Sequence, residues 1–223
     1  PEIGDHRIEG VAVVPVALAT ELLIRSAVDF ADAPVNGLRQ LQVLRGIKLP
    51  GFDPDGDGAS GDWLTLHARS ADGDNASEVA VELRGPEGAL HYRAIATVGA
   101  AGALPSVTTP SDLGPWTLRT DIYDGHLLFH GPRFHAITAI ESAGAAGLVA
   151  TAIGAEALGW QTCGMHTDPA LTDAAMQAAL LWAEVALGGA TLPMGYDRLR
   201  LATHGPVVAG PVSVVVRAGQ TAA

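Results

Sequence analysis

Apolar side chains recur along this chain in two rhythms. Over residues 15–30 (PVALATELLIRSAVDF), Val16, Ala19, Leu22, Leu23 and Ala27 fall at helical spacing. The same rhythm returns over residues 169–187 (PALTDAAMQAALLWAEVAL). Each predicted helix opens on a proline, which a first turn tolerates because the missing N–H would be unpaired there anyway. The second is followed by Gly188-Gly189, a stop signal. Both are apolar over most of their circumference, so they belong inside the protein, wrapped by other elements. Strand-like patterns supply the wrapping, at residues 41–49, 63–68, 79–83 and 90–98, then at 134–142, 147–153, 198–202 and 212–217. Turn-rich clusters at 50–61 and 72–75 punctuate the first set, and AGALPSVTTPSDLGP reads as a linker between the sets. The order predicts two similar modules side by side, residues 1–100 and 119–223, joined by a linker at 101–118. No residue-by-residue repeat accompanies it.

Composition narrows this only a little. A chain of 223 residues, 48% of them hydrophobic, can bury a core without staples. The single cysteine, Cys163, rules out an internal disulfide and suits a reducing, cytoplasmic setting. A formal charge of −11 argues against nucleic acid or an anionic membrane as partner. No apolar run is read as reaching the roughly 20 residues of a membrane span. The chain opens without Met or a basic leader, which reads as a fragment of something longer.

Three segments carry candidate chemistry. The first, His6 to Pro15, has the form H-x-x-x-G-x-x-x-x-P and runs into the first helix. A histidine at the mouth of an apolar interior can be held neutral, and a neutral imidazole is a competent base. Gly10 permits an unusual turn or a close backbone approach to a ligand. His6 reads equally well as a structural side chain before a strand. The second is DPALTDAAMQ, residues 168–177, where Asp173 and Gln177 share one helix face. Burying that polar pair is costly without a task, and desolvation would raise the carboxyl's pKa. The bland reading has Asp173 answering the helix dipole. The third, YDGHLLFHGPRF at residues 123–134, holds Phe129, His130, Gly131, Pro132 and Phe134 in an aromatic, turn-forming run. A zinc site from His126, His130 and His135 is set aside, because Gly-Pro breaks any helix that would align them. A calcium loop at residues 53–58 is set aside too, since its twelfth position is Leu64 rather than a glutamate.

In this order the three segments resemble the dehydratase domains of type I polyketide synthases and related fatty-acid synthases. That family pairs H-x-x-x-G-x-x-x-x-P with Y-G-P-x-F and H-P-x-x-L-D-x-x-x-Q. The first motif is complete here. His130 replaces the tyrosine of the second, while Asp168 and Thr172 replace the histidine and leucine of the third. The Phe-His-Gly-Pro variant is closer to the polyunsaturated fatty-acid and enediyne types. Family members also carry more sequence ahead of the histidine.

The resemblance implies an α+β double hotdog, two long buried helices each wrapped by a curved antiparallel sheet. It implies dehydration of a 3-hydroxyacyl chain on acyl carrier protein to a trans-2-enoyl thioester. His6 would be the base, Asp173 the acid and Gln177 its orienting partner. Gly10, Pro15, Phe129, His130, Gly131, Pro132 and Phe134 would bind substrate, with an N–H near Gly10 facing the thioester carbonyl and His130 facing the hydroxyl. Neither a metal nor a bound cofactor is implied, only the phosphopantetheine of the carrier. Expected partners are the carrier protein and neighbouring synthase domains, with a homodimer left open. Two other functions compete: a product-template-type aldol cyclase, and a non-catalytic hotdog that docks carrier protein.

Overall fold

A computed structural model describes residues 2–52, 63–71, 77–103, 106–118, 121–189, 191–206 and 210–219. The stretch considered as a calcium loop and most of both turn clusters lie outside these. Helix α1 spans Val16–Ala31, preceded by Pro15 in extended conformation and closed by Asp32 in the left-handed region. Ala17, Ala19, Thr20, Glu21, Leu23, Ile24 and Ala27 are buried along it; of the positions the helical spacing picked out, Ala19, Leu23 and Ala27 are among these, while Val16 and Leu22 are half-buried. Helix α2 spans Pro169–Leu187. Its N-cap, Asp168, accepts the N–H of Leu171, and Gly188 (φ +70°) ends it by donating to the Glu184 carbonyl. Among the described residues α2 is the one helix long and apolar enough to cross a membrane, so the absence of such a run in the sequence reading is corrected. In this fold that apolar surface packs against strands instead.

The chain begins with a short hairpin, β1 (Arg7–Ile8) and β2 (Val11–Val13), to which β4 (Lys48–Leu49) adds a third strand. Strands β3 (Val35–Val43), β5 (Thr65–Ser70), β6 (Glu78–Arg84) and β7 (Leu90–Val98) follow, then β8 (Ile137–Gly144), β9 (Gly147–Ala152), β10 (Gly195–Arg200) and β11 (Val212–Arg217). They form antiparallel sheets in the orders β10-β3-β7-β6-β5 and β11-β9-β8. The first sheet packs on α1, the second on α2, and the two helices pack on each other. This is the α+β double hotdog that the resemblance implies. One core gathers α1 residues with Leu38, Val81, Leu83 and Tyr92, and the other gathers Ala174, Ala178 and Leu181 with Leu148 and Ala150.

Two expectations shift. Strand β3 begins at Val35 rather than near residue 41, because Gln40 (φ +53°) bulges it and breaks the alternation by which strands are recognised. Strand β10, from the second half of the chain, completes the first sheet by pairing with β3. Gly37 makes that possible, since a Cβ there would lie 2.1 Å from the Leu199 carbonyl oxygen. The Tyr196 hydroxyl then bonds Thr20 of α1 at 2.9 Å.

A buried carboxylate clasps the two halves. Glu21 of α1 accepts from the N–H groups of His166 and Thr167, each at 2.8 Å, and from the Thr167 hydroxyl at 2.6 Å. Glu21→Ala leaves those donors facing a cavity. The expected result is a loss of about 2–4 kcal/mol, read from the midpoint of chemical unfolding.

Candidate active site

The spacing of the first motif has a local cause. Glu9 (φ +52°) and Gly10 (φ +80°) form a two-residue turn of the primed kind, so the chain doubles back and Val13 lies beside His6. The Val13 N–H donates to the His6 carbonyl at 2.9 Å, and His6 Nδ1 stands 2.8 Å from the Val13 carbonyl oxygen. A carbonyl can only accept, so Nδ1 carries the proton and Nε2 keeps its lone pair. Burial pushes the imidazole pKa down to about 4, against a smaller opposing effect of that hydrogen bond. His6 is therefore a neutral base with one orientation.

Asp173 and Gln177 stand one turn apart on α2, exposed by only 3% and 1%. The Gln177 amide is fully committed. Its Nε2 donates to Asp173 Oδ2 at 2.7 Å and to the Phe134 carbonyl at 2.9 Å. Its Oε1 accepts from the Tyr123 hydroxyl at 2.8 Å, which in turn accepts from the Ile137 N–H at 2.9 Å. Stacking on His135, ring centroids 3.9 Å apart, holds Tyr123 in place. Burial lifts the Asp173 carboxyl to about 7, against a smaller lowering by Gln177. Asp168, where the family has histidine, serves as the helix cap and also accepts the Ala155 N–H.

The third segment joins the other two. His130 stacks on Phe129 at 4.2 Å and meets the edge of His6 at 5.2 Å, while Phe129 meets His6 at 5.0 Å. His130 Nε2 lies 3.5 Å from Asp173 Oδ2. Burial above all, with the neighbouring imidazoles of His6 and His135 acting in the same direction, pushes the His130 imidazole down to about 3. Gly131 and Arg133 clamp the start of the chain: the Gly131 N–H donates to the Asp5 carbonyl at 2.7 Å, and the Arg133 N–H to Asp5 Oδ2 at 2.8 Å. A Cβ on Gly131 would sit 2.8 Å from Asp5 Cγ.

His6, Phe129, His130, Asp173 and Gln177 thus line one cavity of about 230 Å³, with Val43, Tyr92, Met176 and Leu180 among its apolar walls. The other expected substrate contacts do not line it. Gly10 is exposed at the turn tip. Pro15 is buried at the start of α1, and Gly131 and Pro132 shape the 3₁₀ turn Pro132–Phe134. Phe134 buttresses His6 from behind, its ring also meeting Trp160 edge-on. Sequence reasoning missed Tyr92 and the 192–194 segment at the cavity, and the contact by which Tyr123 of the third segment orients Gln177. Met176 and Leu180 were legible, lying three and seven residues beyond Asp173 on the same helix face.

One donor atom from each of His6, His130 and Asp173 lies within 4.8 Å of the others, so these three side chains could hold a metal ion. The histidines first weighed as zinc ligands beside His130 are elsewhere: His126 is exposed, and His135 Nε2 bonds the His130 carbonyl.

Residues 118–222 match a family model described as the polyketide synthase dehydratase N-terminal domain. A polyunsaturated fatty acid synthase polypeptide of Thraustochytrium sp. (strain ATCC 26185 / S-3) is 28% identical over 98% of this chain, which spans 8% of that protein's length. Among solved structures, the dehydratase domain from the CurF module of the curacin polyketide synthase superposes with a TM-score of 0.73 at 14% identity, covering 99% of this chain and 79% of that one. A bifunctional dehydratase-cyclase domain from ambruticin biosynthesis gives 0.66 at 22% identity, covering 99% and 76%. The family model covers the segments at 129–134 and 168–177 but not His6 to Pro15, and the solved structures share the fold.

Proposed function

We propose that this domain eliminates water from a 3-hydroxyacyl thioester to give a trans-2-enoyl thioester. The observation that carries the reading is the pairing of His6 and Asp173 at one small apolar cavity, with protonation tendencies pushed in opposite directions by burial. His6 Nε2 removes the C2 proton, which the adjacent thioester acidifies. The C–H electron pair forms the C2–C3 double bond as the C3–O bond breaks. Asp173 protonates the departing hydroxide, and water leaves. His6 is then an imidazolium and Asp173 a carboxylate, and return of the proton from one to the other resets the site.

Gln177 caps Asp173 Oδ2, which leaves Oδ1 to carry the proton that is delivered. His130, beside the same carboxyl, takes the hydroxyl-binding place that the family gives to tyrosine. The substrate arrives on the phosphopantetheine of an acyl carrier protein, and the partners are that carrier and neighbouring synthase domains. The relative's description as part of a fatty acid synthase supports this.

The test is incubation with a 3-hydroxyacyl pantetheine thioester, read by mass spectrometry as loss of one water. Folded protein that dehydrates no chain length, yet closes a ring on a poly-β-keto thioester, would move the assignment to an aldol cyclase.

Tyr123 enters this mechanism at one remove. Tyr123→Phe leaves the Ile137 N–H and Gln177 Oε1 unpaired, so the amide is held only through its Nε2. Steady-state kinetics should show kcat lowered several-fold with KM little changed. Thermal unfolding should show a loss of about 1–3 kcal/mol.

A further inference from the structure

We propose that His6, His130 and Asp173 bind one divalent ion of the zinc type, and that this ion silences the site by occupying the lone pair of the base. The donor set is two imidazoles and a carboxylate, a combination suited to borderline divalent metals. All three side chains are buried, and their donor atoms lie within 4.8 Å of one another. A tetrahedral zinc ion with bonds of about 2.0–2.2 Å holds its ligands roughly 3.4 Å apart. His130 Nε2 and Asp173 Oδ2 already stand at 3.5 Å. Small side-chain rotations close the rest.

Two further observations point the same way. His6 donates Nδ1–H to the Val13 carbonyl, the outer contact that fixes the tautomer and aims Nε2 at a metal. Asp173 has its own outer contact in Gln177, which orients the carboxylate. His130 is 5% exposed, and its Nε2 is the ring nitrogen that faces Asp173. The cavity of about 230 Å³ beside the three residues leaves room for a water or a thiolate as fourth ligand. A phenylalanine at position 130 would leave only two donors.

The binding half of this inference is independent of the proposed reaction, and the silencing half rests on it. Chelator-stripped protein carrying Cys163→Ser, which removes the exposed thiol as a competing ligand, is titrated with cobalt by visible absorption and with zinc by calorimetry. One equivalent should bind, with the intense cobalt band of a tetrahedral site. His130→Phe and His6→Ala, each shown folded by circular dichroism, should each weaken binding by roughly 100-fold or more, beyond what loss of an outer contact costs. His126→Ala should leave affinity unchanged. Affinity in either the His6 or the His130 variant equal to that of the parent protein, or no binding to the folded parent, overturns the site. In the dehydration assay one equivalent of zinc should abolish turnover and chelator should restore it. Undiminished turnover with the ion bound overturns the silencing. A protein without turnover on any thioester removes the proposed reaction while the titrations still decide the metal site.

Discussion

Replacing His6 by alanine is expected to lower kcat for dehydration by roughly 10²–10⁴-fold, the usual contribution of a positioned base. The C2 proton of a thioester is acidic but does not leave unaided, and no other imidazole in the cavity is placed to take it. His130 is the nearest substitute. Burial pushes its pKa down as well, and it sits against the carboxyl of Asp173 rather than being held by a backbone carbonyl as His6 is. The measurement is turnover of the native protein and variant on the same thioester, with circular dichroism to show that both are folded. The hairpin that positions His6 is held by the Val13 N–H to His6 carbonyl bond and by the Asp5 contacts, all of which survive in alanine. A variant that keeps its activity would therefore remove the base assignment and could not be excused by unfolding.

Asp173→Asn is expected to lower kcat by a similar roughly 10²–10⁴-fold while leaving the fold as stable or more so. Those opposite signs have one cause. The asparagine amide keeps the shape, and its oxygen can still accept from Gln177 Nε2. What disappears is the proton delivered to the leaving hydroxide, together with a carboxylate that is expensive to keep in an apolar interior. Turnover and the midpoint of chemical unfolding, measured on one preparation, read both effects. Loss of activity accompanied by loss of stability would mean that Asp173 holds the structure rather than serving the reaction.

Much of the architecture could be read from one-dimensional patterns. Both helices are found within a residue or two of where the apolar spacing placed them, because their inward faces are long and regular and their ends carry local signals at Pro15, Asp168 and Gly188. The strands were legible where alternation was clean, as in β6, whose residues alternate between buried and half-buried from Glu78 to Arg84. The pattern failed at β3, where the bulge at Gln40 offsets the period, and at β10, whose pairing with β3 depends on a Gly37 about 160 positions away along the chain.

By itself, then, the sequence determined which segments are buried, that Gly10 permits a turn or a close backbone approach, and that an ambiguous histidine and an ambiguous aspartate each border a buried helix. Those are properties of neighbours along the chain. Only the tertiary structure decided that His6 and Asp173 share a cavity, that Asp5 is gripped by Gly131 and Arg133, and that Tyr123 orients Gln177. It also decided that Gly10, Pro15, Gly131 and Pro132 support the site from outside while Phe129 and His130 line it. The reason is physical. Spacing along a strand or helix sets which face a side chain takes, but the distance between two faces, and the burial that tunes a pKa, come from how the two halves pack.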